Sequence, residues 1–329
     1  MRCREGDLLL SQSDEHTATA PGPFFIVMNA GSGGKDADSR EAAIREVLSP
    51  AGRPYRIWRV TEIRRLPEVA RQAVELAQQQ HGTVVAAGGD GTINTVVQTV
   101  LDAGCPFGVL PQGTFNYFSR THGIPVDTAE ATRVLLHGAL RPVQVGLVNG
   151  RAFLVNASLG LYPKLLEKRE EHKQIFGRSR LVAMFSAFVT LLTPPPQLVL
   201  TLEEGGAAEE MHVSTLMVDN NPLQLQEMGL PEEHAVRHGE LAAIVVKAKG
   251  VWQLFSVVAK AALGRLGQAD TVYSFPFTRL TVKPLRRRRI KVATDGEVTW
   301  MIPPLAFSAA PKTLLLVVPL RGAAEGELR

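Results

Sequence analysis

Two acids in this sequence stand where an acid needs a reason. Asp90 interrupts a run of glycines in VVAAGGDGTINTVVQ (84–98), and Glu297 closes the segment TDGE (294–297). An apolar, β-branched stretch that empties through Gly88, Gly89, Asp90, Gly91 and Thr92 into a helix presents free backbone N–H groups to an anion. A carboxylate in such a loop repels a phosphate unless a cation arrives with it or a hydroxyl is to be held. Asp90 therefore points to Mg²⁺ beside the phosphates of a nucleotide, or to an acceptor hydroxyl. An alcohol attacking a terminal phosphate needs alignment, charge neutralisation and a carboxylate to take its proton. Asp90 and Glu297 are the candidates for that work.

Two further loops share the character of the first: NAGSGGKD (29–36) and PQGTFNYF (111–118). Taken singly, each reads as a tight turn between strand and helix. Three at one sheet edge, each with glycine beside a hydroxyl or amide, make a triphosphate cradle the better account, with Ser32, Thr92 and Thr114 offering hydroxyls to phosphate oxygens. Two common nucleotide motifs are excluded. In GSGGKD the spacing of a P-loop puts Asn29 where the first glycine belongs and Asp36 where the hydroxyl belongs. GGDGTI lacks the spacing of a dinucleotide loop.

The elements that must position these loops alternate up to about residue 141. FFIVMN, YRIWRVT, TVVAAGG and FGVLPQG read as continuous apolar strands, with helices in SREAAIREVLSPAG, LPEVARQAVELAQQQHG and INTVVQTVLDAG between them. That rhythm implies an α/β domain: a doubly wound, mostly parallel sheet whose ligands lie at the strand C-terminal ends. Beyond it the pattern changes to strands and turns, VQVGLVNG, RAFLVNASL, QLVLTLEEGG, MHVSTLMVDN, ELAAIVVKA, YSFPFTRLTV and RIKVATDGEV, which implies a second, antiparallel β-sandwich domain. Helical inserts are expected around 164–193 and 251–266. The expected organisation is a loose tail at 1–22, an α/β domain at 23–142 and a sandwich domain at 143–310.

At 329 residues, about two domains are expected, and a hydrophobic share of 45% supports packed cores. A net charge of +4 permits anionic partners without demanding any and gives no case for nucleic acid. Cys3 and Cys105 alone make a disulfide framework improbable, which fits a reducing cytoplasm. The most apolar helix candidate, LVAMFSAFVTLL (181–192), is well short of the roughly 20 residues of a membrane span. The expectation is a soluble, cytoplasmic chain that meets a membrane only peripherally.

The motifs together resemble the diacylglycerol kinase catalytic-domain family, whose bacterial lipid kinases are related to sphingosine and ceramide kinases. The resemblance rests on NAGSGG, AAGGDGTIN, LPQGTFNYFSR, NASLG (156–160) and TDGE, and it covers about residues 24–320. It implies an ATP-dependent kinase that phosphorylates a lipid hydroxyl, diacylglycerol-like or sphingoid, in a cleft between the two domains. By position it assigns ATP to Asn29, Gly31, Ser32, Thr61, Gly88, Gly89, Asp90, Gly91, Thr92 and Thr114, with Asn94, Gly113 and Asn116 of the same loops. It assigns Mg²⁺ to Asp90, and catalysis to Glu297 as proton acceptor with Asp90 and Asp295 beside it. It also implies that TLLLVVP (313–319) returns to the first domain, so that about 311–320 counts with it. The partners it implies are a lipid substrate and a membrane surface; a homodimer is compatible with it.

The sequence departs from the family pattern twice. Tyr117 stands where the family has an acid, and Arg237-His238 stand where an acidic pair holds a structural Mg²⁺ in bacterial members. Two cation-capable side chains there are expected to exclude that ion and to pair with Glu240 or a neighbouring loop. These departures motivate one rival reading, a nucleotide- or lipid-binding regulator with degraded catalysis; a separate rival is a kinase of a soluble acceptor, similar to NAD kinases. The basic run Arg286–Arg289 suits either a solvated hairpin end or anionic headgroups. Trp252 and Phe255 suit either burial between domains or a lipid path.

Overall fold

The computed structural model describes residues 20, 22–31, 34–161, 163 and 197–320, with no side-chain description for 34–36. Ser32, residues 1–19 of the expected tail and the helix expected at 164–193 lie outside the described residues.

The first sheet holds β1 (Phe24–Asn29), β2 (Tyr55–Val60), β3 (Thr83–Gly88), β4 (Phe107–Pro111), β5 (Ala139–Val143) and β18 (Leu314–Val318) in the order β2-β1-β3-β4-β18-β5. Pairing is parallel except at β5, which runs antiparallel to β18. Every residue of β3 and β4 is buried, the mark of strands covered on both faces. The covering helices are α1 (Gly34–Leu48), α2 (Leu66–Gln80), α3 (Asp90–Ala103) and α5 (Thr128–His137), with α1 packed on α5 and α2 on α3. A short α4 (Tyr117–Thr121) follows β4. The sequence reading passed over α5, although Asp127 caps it by accepting from the Glu130 amide, a standard start signal.

The remaining strands form two six-stranded sheets. One runs β10 (Ala207–Val213), β9 (Leu198–Glu204), β14 (Arg279–Pro284), β17 (Leu305–Ala309), β6 (Gly146–Val148), β7 (Arg151–Phe153). The other runs β13 (Val272–Phe277), β12 (Leu241–Val246), β11 (Thr215–Asp219), β8 (Asn156–Gly160), β15 (Ile290–Thr294), β16 (Glu297–Met301). Leu200, Leu202, Leu280, Val282 and Phe307 of the first meet Leu159, Leu216, Val218, Val245 and Val292 of the second in one core. This is a β-sandwich. Three runs that read as single strands in the sequence each break and cross between the sheets: β7 into β8, β10 into β11 at Ser214, and β13 into β14 at Thr278. Three helices, α6 (Pro222–Met228), α7 (Glu233–Arg237) and α8 (Val251–Ala262), pack on the outer face of the second sheet, where Leu225, Val236, Leu254 and Val257 join Ala242, Ile244 and Val246. No helix among the described residues is long and apolar enough to cross a membrane.

Candidate active site

In an open α/β sheet the ligand crevice opens where neighbouring strands send the chain in opposite directions. Here that point lies between β1 and β3, and the loops leaving four strands touch there. Asn29, ending β1, donates from Nδ2 to Thr92 Oγ1 at 2.9 Å and accepts the Gly31 amide at 3.0 Å. A Cβ at Gly31 would stand 2.8 Å from the Thr61 carbonyl oxygen, so the loops after β1 and β2 are in contact. A Cβ at Gly113 would lie 3.0 Å from Gly89 Cα, which joins the loops after β3 and β4. Gly88 has no room for a side chain either, since Thr92 Cβ would be 2.5 Å away. Gly89 is the N-cap of α3 and no side chain caps it, so the first-turn amides face the crevice unclaimed by a cap. Thr61 and Thr114 are exposed beside it.

Asp90 opens α3. Burial raises its pKa, and the backbone amides of Asn116, Tyr117 and Phe118 oppose that shift. Its Oδ1 is buried without a hydrogen-bond partner. An orphaned carboxylate oxygen at the mouth of a phosphate-type loop fits a hard divalent cation, which takes one or two carboxylates and fills its shell with phosphate oxygens and water. Among the described residues no cluster of three His, Cys, Asp or Glu offers a protein-only metal cage.

The TDGE segment is the β15–β16 hairpin turn, with Asp295 at φ 48° and Gly296 at φ 89°, the left-handed pair that a tight hairpin requires. Asp295 accepts from Asn94 Nδ2 (2.6 Å) and from the amides of Leu154 (2.7 Å), Val155 (2.8 Å) and Asn156 (3.0 Å). Burial pushes its pKa up to about 6 against the pull of those donors. Both Asp295 oxygens are engaged by these donors, which tie the turn that carries Glu297 to α3 and to the β7–β8 link. Glu297 sits differently. Its Oε1 would be 3.5 Å from a Cβ at Gly91, against the first turn of α3, while Oε2 accepts from Arg151 Nη2 at 3.0 Å. Burial raises the Glu297 pKa and Arg151 restrains the rise.

Two residues expected to touch nucleotide make hydrogen bonds within the protein. Asn94, one turn below Asp90, donates to Asp295 and to the Ala152 carbonyl (3.1 Å), so it bolts α3 to the sandwich. Asn116, at φ 49°, exchanges two hydrogen bonds with the Gly113 backbone (2.9 and 3.0 Å) and shapes its own loop. Two residues went unread in the sequence. Gln98 pairs with Ala152 through both its amide atoms (2.8 and 2.9 Å), and Arg151 ties Glu297 to Thr294 Oγ1 (3.1 Å). The Asn149-Gly150 turn before Arg151 was the local signal available for the latter.

Tyr117 stacks on Phe115 with ring centroids 6.0 Å apart and planes 8° from parallel, and the Arg120 guanidinium lies 5.6 Å from its ring. An aromatic and cationic cover thus stands where the family carries an acid. Arg237 turns to Glu233 at 3.7 Å rather than to Glu240, and His238 Nδ1 meets the His234 carbonyl at 2.7 Å. Both stay with α7, because a residue one turn back is the nearest partner on a short helix.

Fold and crevice define an α/β domain with convergent phosphate-type loops, closed on one side by an acid from a β-sandwich. Residues 23–148 match the family described as the diacylglycerol kinase catalytic domain. It is 40% identical over 101 residues to a diacylglycerol kinase of Bacillus subtilis, a match spanning 30% of this chain and 33% of the relative. It is 34% identical over 160 residues to a protein of Pseudomonas aeruginosa named "probable lipid kinase YegS-like", 47% of this chain and 49% of that one. The chain thus matches between a third and a half of the length of these curated relatives. A solved diacylglycerol kinase structure from Bacillus anthracis superposes with a TM-score of 0.68 at 20% identity, covering 90% of this chain and 96% of the other. That likeness shows the fold across both domains.

Proposed function

We propose that the protein is a lipid kinase that transfers the γ-phosphate of ATP to the hydroxyl of a diacylglycerol-like or sphingoid lipid. One observation carries the reading: the sandwich delivers Glu297 to the first turn of α3, beside Asp90 and the glycine loop. The names of the partial relatives support the same class of reaction. The first-turn amides of α3 and the hydroxyls of Thr92, Thr61 and Thr114 would bind phosphate oxygens. Asp90 would hold Mg²⁺, which when bound neutralises charge on the phosphate oxygens. Glu297 Oε1 takes the proton of the attacking hydroxyl, and its raised pKa brings it nearer to neutral pH, where a base is effective. Arg151 holds the other oxygen, so one lone-pair direction is fixed toward the crevice.

The test is turnover of labelled ATP by the purified chain with a total lipid extract, followed by identification of the labelled product. Glu297→Gln is expected to lower the rate by roughly 10²–10⁴-fold with folding intact. Asp90→Asn is expected to abolish transfer; retained turnover in either variant removes the mechanism. A second reading, a nucleotide- or lipid-binding regulator, is favoured by Tyr117 and by Arg237-His238, which stand in place of acids. ATP binding without consumption across the lipid panel would establish it instead.

A further inference from the structure

Helix α8 is apolar on two sides. Leu254 and Val257 are buried against Ile244 and Val246 of β12, which accounts for the inner side. On the outer side Trp252 is 84% exposed, Phe255 52%, Val258 45% and the C-cap residue Leu263 70%. At 100° per residue these four fall within one arc of about 140°, apart from the arc that carries Gln253, Ser256 and Lys260. A soluble surface scatters such side chains singly; a continuous stripe on one helix marks something that seats on it.

The charges around the stripe identify the partner. From Leu241 to Ala269 the sequence contains Lys247, Lys249, Lys260 and Arg265 and no acid. None of the four forms an ion pair among the described residues. Lys260 donates to the Gln268 carbonyl at 2.7 Å. At the other edge of the same sheet, strand register puts Lys291 and Trp300 on the face that α8 covers, and the Lys291 ammonium lies 5.1 Å from the ring of Trp300, itself 62% exposed. Indole and phenyl rings bordered by lysine and arginine are the composition of a helix lying in a lipid headgroup layer. A second protein would more often present acids to meet these cations, and would leave the apolar stripe to be matched side chain by side chain.

We propose that the outer face of α8, through Trp252, Phe255, Val258 and Leu263, docks the protein on an anionic bilayer. The inference rests on the lipid-kinase reading for its partner, since an enzyme whose acceptor sits in a membrane must hold its cleft at the surface. Trp252 and Phe255 are the anchors, and the basic residues make the attachment selective for negative headgroups.

The test is sedimentation of the full chain with phosphatidylcholine vesicles containing roughly a third phosphatidylserine, without ATP, beside a turnover assay on a short-chain diacylglycerol dispersed as monomers. The parent is expected to sediment with the anionic vesicles and much less with phosphatidylcholine alone. The double variant Trp252→Ser/Phe255→Ser should bind on the order of 100-fold more weakly while keeping its far-UV spectrum and its turnover of the monomeric lipid. Lys249→Gln/Arg265→Gln should bind less and lose part of the salt sensitivity. Equal sedimentation of parent and double variant overturns the proposal, as does a parent that ignores anionic vesicles. A parent that dimerises through Trp252 without binding vesicles also overturns it and assigns the face to a second copy. Vesicle binding without any phosphotransfer would leave the docking face standing and remove the kinase reading; turnover of monomeric lipid without vesicle binding would do the reverse.

Discussion

At the scale of single residues, the site turns on how each carboxylate is held. Glu297 is restrained by Arg151, whose guanidinium favours the ionised form. Arg151→Gln removes that influence, so the Glu297 pKa rises further. Because the base acts ionised, the acid limb of kcat/KM should move to higher pH, while activity well above the limb falls less; an unmoved limb would separate Arg151 from the base. Asp219 is a different case. It is fully buried, Oδ1 accepts the Asn221 amide at 2.7 Å, Oδ2 has no partner, and burial with Asp295 nearby raises its pKa well above the ordinary value. The sign follows from linkage: with the folded pKa above the unfolded one, the unfolded chain sheds this proton first as pH rises. The contribution is therefore complete below about pH 4 and declines by about 1.4 kcal/mol per pH unit until the folded group ionises. Asp219→Asn should flatten that decline, so its stability relative to the parent should increase with pH in denaturant titrations at a series of pH values.

At the scale of elements, α3 and the β15–β16 turn act as one part. Asn94, Gln98, Ala152 and Asp295 form a continuous hydrogen-bonded seam between the α/β domain and the sandwich. Asn94→Ala takes one donor from Asp295 and one partner from Gln98, at a cost of about 1–3 kcal/mol. For a domain of 150–250 residues each kcal/mol lowers Tm by about 2–4 °C, and the turn that carries Glu297 loosens with it. A lower Tm together with a lower kcat and little change in the KM for ATP is the expected pattern; a change in ATP affinity alone would return Asn94 to the nucleotide. None of this seam was readable in advance. The glycine loops were legible because backbone approach demands glycine locally, as at Gly88 under Thr92. Asn94 and Asp295 stand 201 positions apart, and their residue types fit a ligand as well as they fit each other. The same limit explains the strands that switch sheets: apolar alternation reports that a segment is extended, and it continues through Ser214 and Thr278 without saying that the chain changes layers.

At the scale of the molecule, the last described strand completes the first domain. TLLLVVP is apolar enough to be read as a strand, but its place in a sheet depends on partners far away in the chain, β4 on one side and β5 on the other. β5 is an edge strand, with Pro142 in it and its far side unpaired, so it could not close the sheet on its own account. Between them β18 buries Leu314, Leu316, Val317 and Val318, each no more than 1% exposed. At about 1.5–3 kcal/mol for each buried aliphatic side chain, the four contribute roughly 6–12 kcal/mol, comparable with the whole stability of a typical domain at about 5–15 kcal/mol. Removing residues 311–329 would therefore leave β4 and β5 with open edges and the helices without a floor. The truncated chain should lose its cooperative thermal transition by circular dichroism and its ATP binding together, although no residue assigned to the crevice is deleted. A truncation that melts cooperatively within a few degrees of the parent would mean that the sheet closes without β18. The order β4-β18-β5 would then describe a docked strand rather than a structural one.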